Sequence, residues 1–348
     1  DELEALLHSA CAYRMVSDVP VGVFLSGGYD STAVAAMLQS QASSPIKTFT
    51  IGFSEGNDEA PFARETAGIL GTDHHELYCS PREAMEVVPS LPEVYDEPFA
   101  DSSGIPTLLV SRMARSSVKV ALSADGGDEL FCGYKSYPET WRRARRLSRI
   151  PEPLRDTFGG LLSTGARALP AAAHASRHKF EALGHCLVKD DALMAQRLHG
   201  QSRLMPRSLV DSLLPGGSGC SMEFTDRAWP AGTHPIEAAM GLDYQTYLKD
   251  DILTKVDRAT MSVGLEGREP LLDHRLAEFA ARIPIAYKHD GITAKRILRD
   301  VVHRHVPEEK MSRPKSGFSL PIMAWLRGEL RGLLEDVCSE SALAESGA

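Results

Sequence analysis

Short apolar runs alternate with helical patterns over the first 130 or so residues. Val21–Leu25 is a compact apolar run closed by Ser26-Gly27-Gly28, which predicts a buried strand entering a tight loop. A helix is expected from near Ser31, with Val34, Met37 and Leu38 on its apolar face. Lys47–Phe53 is rich in strand formers, and Glu59–Leu70 predicts a helix stopped by Gly71. His75–Tyr78 reads as a third strand, Pro81–Val88 as a helix with proline in its first turn, Thr107–Ala114 as a helix and Val118–Leu122 as a further buried strand. This alternation predicts an α/β fold, a parallel sheet with helices on both faces.

Strand signals fade from about Trp141, where Ala, Leu and Arg dominate and Pro151, Pro153 and Pro170 punctuate the helices. Gly241–Met261 reads as one long helix, with Tyr244, Leu248, Ile252 and Val256 at four-residue spacing. Leu214–Gly219 reads as a flexible loop. The expected division is therefore an α/β core in residues 1–140 and a mostly helical part in 141–348.

Composition narrows the classes. The 348 residues are 43% hydrophobic and 24% charged, the balance of a globular protein with a core. A net charge of -9 argues against a nucleic-acid binder with a broad basic surface. No apolar run approaches the roughly 18 residues of a membrane span, and the acidic start Asp1-Glu2-Leu3-Glu4 is unlike a signal peptide. The absence of an initiator Met suggests a fragment or a processed product. Six cysteines without a C-x-x-C pair predict reduced thiols in a cytoplasmic protein.

Two loops carry the chemistry. In Ser26-Gly27-Gly28-Tyr29-Asp30-Ser31, the glycines allow a close backbone approach, and the helix that follows turns its positive end toward an anion. Ser26 and Ser31 add hydroxyl donors. Asp30 would repel phosphate unless a cation stands between them, which suggests Mg²⁺. The Walker pattern is absent. After the strand ending at Leu122 comes Ser123-Ala124-Asp125-Gly126-Gly127-Asp128-Glu129, a second glycine-bearing turn with further carboxylates. In a parallel sheet both turns lie at the carboxyl ends of strands, where Asp30 and Asp128 could share one Mg²⁺. A tight turn with Asp30 or Ser31 capping the helix is the plainer alternative for the first loop, and an acidic helix N-terminus that suits the dipole is the plainer alternative for the second.

The first loop resembles the signature of the N-type ATP pyrophosphatases. Further stretches resemble the synthetase domain of glutamine-dependent asparagine synthetases: Ser123–Phe131, Leu253–Met261, Leu265–His274 and Arg313-Pro314-Lys315-Ser316-Gly317-Phe318. The likeness runs from about Val21 to Trp325. It implies ATP and Mg²⁺ as cofactors, with Ser26, Gly27, Gly28, Asp30 and Ser31 on pyrophosphate and Asp30 and Asp128 on the metal. It further implies Phe24 and Ile51 beside adenine, and Ser123 and Ala124 on the nucleotide. Lys315 then stabilises charge at the α-phosphate. The implied reaction adenylates a carboxylate, β-aspartate in the family, with loss of pyrophosphate; ammonia then displaces AMP. Asp125 stands where the best-known relatives have Glu, which keeps the charge and shortens the reach of a group placed to meet the acyl intermediate or ammonia. The resemblance also implies a glutaminase domain upstream or in trans, for which this chain has no cysteine at its start, and allows a homodimer. An adenylating ligase with an internal amine nucleophile, of the β-lactam synthetase or lasso-cyclase kind, is the alternative within the superfamily; a non-catalytic nucleotide-binding module is the alternative outside it.

The run Arg142, Arg143, Arg145, Arg146 and Arg149 reads as a solvated helix face. His74 and His75 read as structural or surface residues. Asp251 and Lys255 are spaced for an i,i+4 ion pair, with site lining as the alternative, and Glu266 and Arg268 are expected to brace a loop beneath the site.

Overall fold

The computed structural model describes residues 1–53, 58–169, 174–200, 229–311 and 320–346. Five parallel strands form one sheet: β1 (Val21–Phe24), β2 (Lys47–Phe53), β3 (Asp73–Cys79), β4 (Val120–Leu122) and β5 (Glu266–Arg268), in the order β3-β2-β1-β4-β5. All pairs are parallel, as the alternation of strands and helices requires. The chain winds outward from β1 in both directions, so the order reverses between β1 and β4. Ligands of open α/β sheets bind at the carboxyl edge of that switch point.

Period-two alternation along β2 builds a layer on each face. Phe49, Ile51 and Phe53 form one cluster with Ile105 and Leu108 of the helix Gly104–Arg115. On the other face Gly52 lies against Asp58 and Ala60, where a Cβ would approach Ala60 Cβ to 2.9 Å. The helix Ala60–Leu70 continues that layer, with Ala63 and Ala67 packed against Leu25 and Ala35. Gly71 ends this helix in the left-handed region, φ 72°, and its N–H donates to Ala67 O at 2.8 Å. Ser80 opens the helix Pro81–Val87 with a reciprocal capping box to Glu83.

The chain forms two compact units. The first comprises Asp1–Ala124, Leu253–Leu276 and Arg299–Ala348; the second comprises Asp125–Ile252 and Ala277–Leu298. Along the sequence the segments of the two units alternate, and β5 returns from the second half of the chain to pair with β4. In the second unit the helices Ser136–Leu147, Asp191–Gly200 and Pro235–Gln245 pack on one another. His199 and Asp243 are buried among them, with His199 Nε2 2.9 Å from Asp243 Oδ2 and Nδ1 3.3 Å from Thr140 Oγ1.

The long helix expected over Gly241–Met261 is broken. An α-helix ends at Gln245, Leu248–Leu253 forms a π-helical turn, and Thr254–Ser262 resumes α-geometry. Thr246, at φ -122° and ψ -79°, leaves helical angles, so an unbroken α-helical period is lost there although Leu248, Ile252 and Val256 are all buried. Leu214–Gly219 lies outside the described residues. Five cysteines, Cys11, Cys79, Cys132, Cys186 and Cys338, are free thiols. Among the described residues no helix is long and apolar enough to cross a membrane.

Arg268 has a task other than the expected bracing of a site loop. Its Nη1 donates to Arg14 O and Val16 O, both at 2.8 Å, closing the carboxyl end of the helix Glu2–Met15. A guanidinium there satisfies carbonyls left over at the helix end and opposes the helix dipole. Arg268→Ala is expected to lower unfolding free energy by about 2 kcal/mol in urea titrations, within the range for hydrogen bonds to a charged group.

Candidate active site

The loop after β1 is shaped by contacts that only small residues permit. Leu25 N–H continues the sheet ladder to Phe49 O at 2.9 Å, and the chain then turns. Gly27 has φ +70°, and a Cβ there would come within 2.8 Å of the Phe62 carbonyl carbon and 2.9 Å of Ala63 N. The loop is thus pressed on the backbone of the helix Ala60–Leu70, where neither a side chain nor its usual φ can be accommodated. Gly28, at φ -75°, is the N-cap of the helix Tyr29–Gln41 and offers no side-chain cap of its own.

The two serines tie this turn together. Ser26 Oγ and Ser31 Oγ lie 3.0 Å apart. Ser26 N donates to Ser31 Oγ at 3.2 Å, Gly28 N donates to Ser26 Oγ at 3.2 Å, and Ser31 Oγ donates to Gly28 O at 3.2 Å. Hydroxyls and helix N–H groups are thereby gathered at the positive end of a 13-residue helix. This is a place where an anion is stabilised. Asp30 sits in the first helical turn, and the helix is nearly all buried from Ser31 to Leu38.

Phe24 is half-buried and Ile51 is 1% exposed, on the same face of neighbouring strands within the cluster under the helix Gly104–Arg115. Ser123 continues β4, its N–H donating to Arg268 O at 2.9 Å, and Ala124 follows half-buried. Because β1 pairs with β4 in the register Val23↔Leu122, the loops that begin at Leu25 and Ser123 leave the sheet side by side.

Asp125 and Asp128 belong to the second unit. There Asp128 Oδ1 lies 2.6 Å from Lys295 Nζ, and both side chains are largely buried. Lys295 is a non-glycine residue in the left-handed region, φ 57°, and its N–H donates to Phe131 O at 3.2 Å. Gly133 is required beside this pair, because a Cβ would overlap the Asp128 carboxylate and the Lys295 stem. Glu129 is not the solvated acid of a helix N-terminus: it is 3% exposed and accepts from Tyr134 Oη at 2.8 Å. Burial, with Asp128 alongside, pushes its carboxyl up to about 7, and burial with Glu129 alongside raises the Tyr134 phenol.

Lys315 lies outside the described residues, as does the motif around it. Mg²⁺ is commonly held by one or two carboxylates together with substrate phosphates; Asp30 stands in the first unit and Asp128 in the second. Among the described residues no group of three His, Cys, Asp or Glu side chains is arranged to hold a metal. His74 and His75 have structural partners: His74 Nδ1 lies 2.9 Å from Thr48 Oγ1, and His75 stacks on Phe49 with ring centroids 5.3 Å apart.

Sequence reasoning missed the partners of these groups. Lys255 Nζ donates to Asp101 Oδ2 at 2.9 Å and to Ser103 Oγ at 2.8 Å, within the first unit. Burial would raise the Asp101 carboxyl, but the Lys255 charge and the bonds from Lys255 and Ser103 hold it below its ordinary value. No sequence signal joins residues 154 positions apart.

Sheet order, switch point and the glycine turn between β1 and the following helix define a doubly wound α/β protein of the adenine nucleotide alpha-hydrolase-like fold. The chain belongs to the asparagine synthase family, whose model matches residues 2–348. It is 36% identical over 338 residues to a Mycobacterium tuberculosis protein provisionally named asparagine synthetase [glutamine-hydrolyzing], covering 95% of this chain and 49% of that protein. It is 32% identical over 346 residues to asparagine synthetase [glutamine-hydrolyzing] 1 of Bacillus subtilis, covering 98% and 52% respectively. A more distant relative, amidase chry2 of Gibberella zeae, is 24% identical over 383 residues, covering 98% of this chain and 55% of that protein. The chain thus spans about half the length of the curated relatives it matches.

The two glycines of the first loop should differ in cost. Gly27→Ala is expected to destabilise the fold by about 2–3 kcal/mol, and Gly28→Ala by less than about 1 kcal/mol, in urea unfolding. The difference follows from the backbone at Gly27 and the single 3.3 Å contact, to Ser26 Oγ, that a Cβ at Gly28 would make. Glu129 sets a pH dependence. Its folded pKa of about 7 exceeds the ordinary 4.5, so its stabilising contribution is complete below about 4.5 and is lost as pH rises through about 7. Unfolding midpoints measured from pH 4 to 8 should decline across that window, and Glu129→Gln should flatten the decline.

Proposed function

We propose that this chain is an ATP-dependent ligase that forms a carbon–nitrogen bond in the manner of the asparagine synthetases. The observation that carries this reading is the hydroxyl-bound turn Ser26–Ser31, opening a buried helix at the switch point of a parallel sheet. Its support from the relatives is the family match across the chain. The reaction has two steps. A carboxylate, with aspartate as the first candidate, attacks the α-phosphorus of ATP and forms an acyl-adenylate with release of pyrophosphate. Ammonia then adds to the acyl carbon and AMP leaves with the bonding electron pair.

Each group on this chain has a task in that scheme. Ser26, Gly27, Gly28 and Ser31 bind the β- and γ-phosphates through hydroxyl and backbone N–H donors. Phe24 and Ile51 flank the adenine, and Ser123 and Ala124 hold the nucleotide at the neighbouring strand end. Asp30 and Asp128 are the carboxylates suited to Mg²⁺, which when bound neutralises charge on the departing pyrophosphate. Lys295 holds one oxygen of Asp128 and fixes that carboxylate's orientation. Lys315 supplies positive charge at the α-phosphate, and Asp125 faces the acyl group or the incoming amine. A glutaminase domain, upstream or in trans, is the proposed ammonia source, in keeping with the glutamine-hydrolysing names of relatives about twice this chain's length.

Incubation with ATP, Mg²⁺, aspartate and ammonium should release AMP and pyrophosphate in equal amounts. ADP and orthophosphate as the products would overturn this reading, and pyrophosphate release independent of aspartate would point to another carboxylate. Lys315→Ala should lower turnover at least about a hundredfold, as for loss of a donor aimed at developing charge, with ATP affinity changed less than about threefold.

A further inference from the structure

Position 29, within the turn Ser26–Ser31, is a tyrosine whose ring is held by residues 270 and 274 positions away. The guanidinium of Arg299 lies over the ring, its Cζ 4.3 Å from the centroid, and Arg299 Nη1 donates to the phenol oxygen at 3.4 Å. His303 Nε2 is 3.1 Å from the same oxygen, and its ring meets Tyr29 edge-on with centroids 5.6 Å apart. Tyr29, Arg299 and His303 all belong to the first unit. Burial raises the Tyr29 phenol against the opposing Arg299 charge, so the hydroxyl keeps its proton at neutral pH.

This arrangement supplies what the loop lacks. Between Leu25 and Val34 the sequence is Ser-Gly-Gly-Tyr-Asp-Ser-Thr-Ala, and Tyr29 is its one large side chain. Two consecutive glycines give a loop wide conformational freedom, which costs entropy when an anion must be met by several donors at once. Gly27 fixes one side of the turn against the helix Ala60–Leu70. Tyr29 is the first residue of the following helix, so fixing its ring fixes where the helix N-terminus points. A cation over an aromatic face combined with two hydrogen-bond contacts is a directional restraint as well as an attractive one.

We propose that Tyr29 is a positioning residue of the phosphate loop, held by a clamp of Arg299 and His303 so that the helix N-terminus and the serine hydroxyls stay aligned for the ATP phosphates. The proposal rests on the ATP-binding reading above for its purpose, but not for its physical content. Tyr29→Leu removes ring and hydroxyl, Tyr29→Phe keeps the ring beneath Arg299, and Arg299→Met removes the cation while keeping chain length.

The test is amide hydrogen exchange at Ser26–Ser31 in the free protein, together with steady-state kinetics in ATP and in the carboxylate substrate. In Tyr29→Leu, exchange at these amides is expected to rise about tenfold, with the KM for ATP rising about tenfold and the KM for the carboxylate unchanged. Tyr29→Phe should recover at least half of both effects on a logarithmic scale. Exchange within twofold of wild type in a folded Tyr29→Leu protein would overturn the clamp, as would equal rises in both KM values. Should Tyr29→Leu not fold, the same exchange comparison on Arg299→Met and Tyr29→Phe decides the matter. Loosened amides in a protein that never cleaves ATP would sink the ligase reading and leave the clamp standing.

Discussion

The parallel pairing of β1 on both of its edges is the constraint from which the first unit follows. With β2 on one side and β4 on the other, β1 has no free edge, and its residues Gly22 and Val23 are buried. Gly22 also leaves room for the Phe49 ring, which lies where a Cβ would project. The register to β4 sets the level at which both site loops leave the sheet. Moving that register by one residue would exchange core and helix-facing sides along the strand and separate the two turns. The turn Ser26–Ser31 is therefore a property of the sheet as much as of its own glycines.

Much of this framework was legible in the chain because it is encoded locally. Thr48, Phe49, Thr50, Ile51 and Phe53 give Lys47–Phe53 its strand character, Gly71 supplies a left-handed stop, and Ser80-Pro81 with Glu83 announces a helix start. The strand–glycine–helix sequence at Val21–Ser31 is likewise a local statement of stereochemistry. β5 was not legible, since Glu266-Gly267-Arg268 has no apolar side chain and forms a strand only because β4 offers it a ladder. The π turn at Leu248–Leu253 was hidden for a different reason: its apolar spacing is compatible with a plain α-helix.

The site was legible in its loops and not in their supports. Ser26, Gly28 and Ser31 are joined by hydrogen bonds within one turn. Arg299 against Tyr29, Lys255 against Asp101 and Lys295 against Asp128 join distant stretches, and no periodicity marks them. Lys295 even adopts a backbone conformation that its residue type disfavours, held by an ion pair and a bond to Phe131 O. The pairing of Asp30 with Asp128 rests on the sequence and the family likeness, because the two carboxylates lie in separate units.

The return of β5 to the sheet has a consequence for how the protein is made. β4 ends at Leu122 and its outer partner begins at Glu266, so a nascent chain must grow from residue 122 to residue 266, a further 144 residues, before that edge is covered. During synthesis, at roughly 5–20 residues per second, the uncovered edge of β4 is open to pairing with another chain for about 7–30 seconds. Long-range parallel pairing is also slow in itself. The ribosome thus holds an incomplete sheet for a period long enough for chaperone capture, and a stop codon placed before residue 266 would release a sheet that cannot close.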